Sequence, residues 1–83
     1  MNTMNNSVTV YSTPTCHYCT MAKNFFKTHN VPFKDVDVSK SRESAMEMMM
    51  KSGQMGVPVV DINSKIIVGF DPNAFTDLLG LKK

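Results

Sequence analysis

The chain has no tryptophan and only two cysteines in its 83 residues. It is therefore not a disulfide-stapled secreted scaffold, and whatever the thiols do, they do as one pair. It also lacks any apolar run near the roughly 20 residues that cross a bilayer. Neither sign of charge dominates: nine lysines and arginines against seven acids leave a net charge of +2, with the two kinds interspersed. That balance excludes the basic stripe of a nucleic-acid binder and the polybasic patch of a membrane-surface protein. The first seven residues carry no charge and no apolar core, unlike a secretory signal. The expected location is the cytoplasm, where two cysteines kept reduced are working thiols rather than a staple. A chain this short fits one small domain, of a size that buries only about 60% of its unfolded surface. Residues 1–83 are read as that domain, with 1–6 as an N-terminal extension and a monomer as the default state.

What the chain does have is Cys16-His17-Tyr18-Cys19, directly after the β-branched and aromatic run Val8 to Ser12. Two thiols at i and i+3, where a strand turns into a helix, close and reopen a small disulfide, and a helix N-terminus favours a thiolate there. In this context the pair reads as thioredoxin-like. Thr15 is the expected N-cap of a helix from Cys16 to about Thr28. On a wheel of about 100° per residue, Tyr18, Cys19, Met21, Ala22, Phe25 and Phe26 share one arc, while His17, Thr20, Lys23, Asn24, Lys27 and Thr28 share the other. Cys16 falls on the polar side. The wheel thus predicts an exposed Cys16 and a half-buried Cys19, the asymmetry that a nucleophile and a resolving thiol require.

Asn30-Val31-Pro32 ends that helix, and Phe33 to Val38 alternates as a strand does. Ser41 caps a second helix through about Ser52, with Ala45, Met46, Met49 and Met50 expected inward, Glu43, Ser44, Glu47 and Lys51 outward, and Gly53 as its stop. Pro58 to Ile62, the turn Asn63-Ser64-Lys65, and Ile66 to Val68 read as a hairpin. Asp71 as cap and Pro72 at the first position open a last helix, with Phe75, Leu78 and Leu79 at core spacing and Lys82 and Lys83 near its negative end. The order is β-α-β-α-β-β-α, an α/β class with the first helix bridging two parallel strands.

Four segments taken in order resemble the glutaredoxins over nearly the whole chain. They are Thr15-Cys16-His17-Tyr18-Cys19, Val31-Pro32-Phe33 leading into Asp35-Val36-Asp37, Gly56-Val57-Pro58, and Gly69-Phe70-Asp71. The resemblance implies a thioredoxin fold, a four-stranded mixed sheet flanked by three helices, and a cis peptide before Pro58 beside the thiols. It implies thiol-disulfide exchange with Cys16 and Cys19 as the catalytic pair, reducing protein disulfides or glutathione-mixed disulfides. It also implies glutathione as reductant, with Thr13, Tyr18, Val57, Pro58 and Asp71 at the glutathione- and substrate-binding positions; no metal is expected, for want of ligands. The partners implied are glutathione and disulfide-containing proteins or small disulfides.

Some residues depart from the family's pattern. Where many glutathione-using members carry a basic residue, this chain has Thr13, and Met55 replaces a second cation. Gly69-Phe70-Asp71-Pro72 looks more like the small glutaredoxin-like donors that feed ribonucleotide reductase and are recharged by thioredoxin reductase. That donor role is the alternative expectation, and a cluster carrier, with two copies bridging an iron-sulfur cluster through Cys16, is a further one. A zinc site needs four ligands, and no second cysteine pair is available beside His17 or His29. His17 reads equally as a solvated helix-start residue or a tuner of the thiolate, His29 as a partner of the helix dipole, and Tyr18 as core or ligand contact. The methionines Met46, Met48, Met49, Met50 and Met55 read as core filler.

Overall fold

The computed structural model describes residues 7–81. Seven elements follow in the expected order: β1 (Val8–Ser12), α1 (His17–Thr28), β2 (Lys34–Asp37), α2 (Arg42–Ser52), β3 (Val59–Ile62), β4 (Lys65–Val68) and α3 (Pro72–Leu79). They form one mixed sheet in the order β2-β1-β3-β4. β1 runs parallel to β2, as a helical crossover demands, with Tyr11 opposite Val36. It runs antiparallel to β3, with Tyr11 opposite Val59. β3 and β4 close the hairpin through Asn63 and Ser64, both at positive φ.

Period-two alternation sorts the strand residues onto two faces. Val8, Val10, Val60 and Ile62 point to one face, where Ala22, Phe26, Val31 and Phe75 complete a buried core. Phe26 and Phe75 meet there with ring centroids 4.9 Å apart, within the range where aromatic pairs add to simple burial. Tyr11 and Val59 point the other way and pack on Met48 of α2. Helix α1, whose buried residues are Cys19, Ala22 and Phe26, therefore covers the first face, and α2 the second.

Helix α2 presents a different face from the expected one. Met48 is its buried residue, whereas Met46, Met49 and Met50 are exposed, Met50 by 80%. Ala45 is only half-buried. The cause lies in the polar residues of the inner side. Tyr11 is buried and donates its hydroxyl proton to Glu47 at 2.8 Å, while Lys51 donates to the same hydroxyl at 3.0 Å and to Asp61 at 2.9 Å. A buried phenol needs partners, and meeting them turns Glu47, Met48 and Lys51 toward the sheet. The surplus methionines, adaptable and unbranched, are left outside.

Smaller corrections follow similar logic. β2 is shorter than Phe33 to Val38, because it lies at the sheet edge and pairs on one side only. Leu78 is exposed by 36%, leaving Phe75 as the buried residue of a short α3. Ser41, Gly53 at φ 76°, and Asp71 with Pro72 behind it end or begin their helices as expected. His29 closes α1 through Nδ1, 2.9 Å from the Phe25 carbonyl, with its ring against the Phe25 ring. The extension 1–6 and the pair Lys82 and Lys83 lie outside the described residues.

Candidate active site

The N-cap of α1 is Cys16, not Thr15. Its backbone is extended, with φ −85° and ψ 115°, and its sulfur accepts a hydrogen bond from the Cys19 N–H at 3.1 Å. A sulfur here occupies the place a serine or aspartate oxygen takes in an ordinary cap, satisfying one of the helix's unpaired amides. The Thr13 carbonyl accepts from the Cys16 N–H at 3.3 Å, which fixes the turn through Pro14 and Thr15.

Cys19 lies deeper than the wheel predicts: it is fully buried, while Cys16 is half-buried. Both thiols are free. Burial pushes the Cys19 thiol up to about 12, and its hydrogen bond to Cys16 adds to the rise, whereas the Thr13 amide and the charge of Lys23 pull the other way. In the dithiol form Cys19 therefore holds its proton. Cys16 is the thiol that solvent reaches.

Register brings the other expected residues to the same end of the sheet. The β1–β3 register ends at the Tyr11–Val59 pair, so Pro58, next in the chain to Val59, lies at the end of β1 that leads to the thiols, and the Gly69 N–H donates to the Pro58 carbonyl at 2.8 Å. The Val57–Pro58 peptide is cis, as the resemblance implied. Pro58 is buried, and Val57 is half-buried against the Tyr11 and Met48 cluster. Asp71 follows Gly69 at this end and is exposed. Its Oδ1 accepts from the Ala74 N–H at 3.2 Å, so its role as a helix cap is visible. Tyr18 is 60% exposed, which removes the core reading, and its ring lies edge-on to His17. Thr13 is half-buried and contributes backbone atoms to both cysteines.

Sequence reasoning missed a group of three linked polar residues, of which Lys23 acts on Cys19. Ser12 is buried and donates to Asp35 at 2.9 Å, and Lys23 reaches both, at 3.4 Å from the Ser12 hydroxyl and 3.1 Å from the Asp35 carboxylate. The wheel placed Lys23 with the solvated residues. The available signal was its position four after Cys19, one turn along the same face. Met55 is 58% exposed in the loop before Val57. No group of three or more His, Cys, Asp or Glu suited to a metal ion occurs among the described residues.

A mixed sheet with its helices on both faces, and a thiol pair where the first strand passes into a helix, define a thioredoxin-fold redox protein. The Glutaredoxin family model matches residues 8–67, and the chain belongs to the glutaredoxin family of oxidoreductases. It is 38% identical over 78 residues to a glutaredoxin of Neisseria meningitidis, covering 93% of this chain and 86% of that one. It is 44% identical over 64 residues to an uncharacterized glutaredoxin-like 8.6 kDa protein in the rubredoxin operon of Clostridium pasteurianum, covering 77% and 85%. Among solved structures it resembles NrdH-redoxin from Escherichia coli, described as a glutaredoxin-like protein with a thioredoxin-like activity profile. There the TM-score is 0.76 at 25% identity, covering 87% of this chain and 93% of the other.

Proposed function

We propose that the protein reduces protein disulfides and glutathione-mixed disulfides through Cys16 and Cys19, with glutathione as its reductant. The observation that carries this reading is the pairing of a reachable Cys16 sulfur, 3.1 Å from the Cys19 amide, with a buried, protonated Cys19. The Cys16 thiolate attacks a substrate disulfide, one substrate thiol leaves, and a mixed disulfide remains on Cys16. Cys19 then attacks Cys16, the second substrate thiol leaves, and the two cysteines end as a disulfide. Two molecules of glutathione return them to thiols and become glutathione disulfide. Tyr18, Val57, Pro58, Thr13 and Asp71 are the proposed contacts, since all lie at the end of the sheet that carries Cys16. A pair that must return to the dithiol form works in a reducing compartment, so the proposal includes a cytoplasmic location.

A second reading has its own support. Thr13 and Met55 offer no charge to a glutathione carboxylate, and the resemblance to NrdH-redoxin points to a protein reductant. In this reading thioredoxin reductase recharges the pair. NADPH consumption with a glutathione-mixed disulfide substrate separates the two. Turnover with glutathione and glutathione reductase supports the first reading. Turnover only with thioredoxin reductase overturns it in favour of the second.

A further inference from the structure

The second step of the exchange asks most of the protein, because its nucleophile is a buried thiol. In the mixed disulfide the Cys16 sulfur is bonded to substrate and carries no charge. The two influences through which Cys16 helps Cys19 keep its proton, a hydrogen bond and a repulsion, then disappear. Burial still opposes ionisation. What remains in favour of the thiolate is the Thr13 amide from the loop after β1 and the ammonium of Lys23 from α1.

Lys23 is built into this position. It stands four residues after Cys19 on one helix, so both side chains lie along the same face. Its ammonium is held from β1 by the buried Ser12 hydroxyl and from β2 by Asp35, and its side chain is only 22% exposed. Ser12 adjoins Thr13, whose amide faces the Cys19 sulfur. The Glu47, Lys51 and Asp61 charges gather around the Tyr11 hydroxyl on the opposite side of the sheet. Thus, among the described residues, the groups acting on Cys19 are Cys16 at the N-cap of α1, Lys23 from α1 and the Thr13 amide, with Asp35 and Asp37 of β2 on the far side of Lys23.

We propose that Lys23, held by Asp35 and Ser12, is the positioning cation for the resolving step: its charge favours the Cys19 thiolate once Cys16 is tied up in a mixed disulfide. This rests on the dithiol reading above. Cys19 gives its proton to water and attacks the Cys16 sulfur. The Cys16–Cys19 bond forms, the bond from Cys16 to the substrate sulfur breaks, and the substrate thiolate leaves with that electron pair and takes up a proton. The cysteine pair is oxidised and the substrate disulfide reduced.

The test is the rate at which a preformed mixed disulfide on Cys16 closes and releases a chromogenic thiol, followed against pH. Lys23→Met should close about tenfold more slowly at neutral pH, with its profile moved to higher pH. Lys23→Arg should keep the wild-type profile. The first step, measured as attack by Cys16 in a Cys19→Ser background, should be unchanged by Lys23→Met, which a merely structural role would not predict. Lys23→Gln, which keeps a donor for Asp35, replaces Lys23→Met if that variant does not fold. Identical closure profiles for the neutral variants and wild type would overturn the proposal. A wild-type mixed disulfide that never closes would instead overturn the dithiol reading beneath it.

Discussion

The Cys19 amide donates to the Cys16 sulfur at 3.1 Å, so the candidate nucleophile is the cap of its own helix. One interaction thereby ends the helix and orients the sulfur. Its partner across the turn is buried while Cys16 faces the surface, and the two thiols should behave very differently toward reagents.

Alkylation should show this directly. With the fully reduced protein, iodoacetamide at neutral pH should label Cys16 and spare Cys19, as read by peptide mass mapping. Cys19, whose thiol is pushed up to about 12, should be labelled only in strongly alkaline solution or on unfolding. The sign for stability follows. A thiol raised by folding contributes stability that is full below its unfolded value near 8.5 and lost as pH rises toward the folded one.

The two cysteines should separate by substrate. Cys16→Ser should abolish turnover of every disulfide. Cys19→Ser should retain reduction of small glutathione-mixed disulfides, where glutathione releases the intermediate, and lose most activity on protein disulfides. Equal activity of Cys16→Ser and wild type would be incompatible with the mechanism.

The facing of α2 makes a contrast between methionines. Met48→Ala removes a side chain buried against Tyr11 and Val59 and should cost about 2–5 kcal/mol in urea unfolding. Met50→Ala, at 80% exposure, should stay within about 0.5 kcal/mol of wild type.

How far the sequence could be read follows from the same helix. Element order, the caps at Ser41 and Asp71, the Gly53 stop and the thiol pair rest on local chemistry, and all were legible. The facing of α2 was not, because methionines occupy every side of it and give the apolar pattern no single phase. What orients the helix is Tyr11, 36 residues from Glu47 and 40 from Lys51, a partner no local window contains. The Lys23, Ser12 and Asp35 group was missed likewise, since its members come from three elements. The cis peptide before Pro58 came from the family resemblance and not from the dipeptide itself.

The Tyr11 network gives a pH signature. Hydrogen bonds to Tyr11 and Asp61 raise Lys51, and burial raises Tyr11. Both groups hold their protons more tightly when folded, so their contribution is full below their ordinary values near 10 and is lost as pH rises above them. Glu47 is lowered, chiefly by the Tyr11 hydroxyl, so its share is lost as pH falls below about 4.3. Tyr11→Phe should cost about 1 kcal/mol at neutral pH, or about 4–8 °C in Tm. That gap should narrow above about pH 10, as thermal melts across pH would show.

The central claim is that Cys16 and Cys19 act in sequence on one disulfide, and the most direct measurement is a map of the bonds formed when the reduced protein meets a disulfide substrate. Wild type should end with a disulfide between Cys16 and Cys19 within one chain, and Cys19→Ser with the substrate attached at Cys16. Substrate found on Cys19, or a wild-type product whose only disulfides join separate chains, would contradict the account.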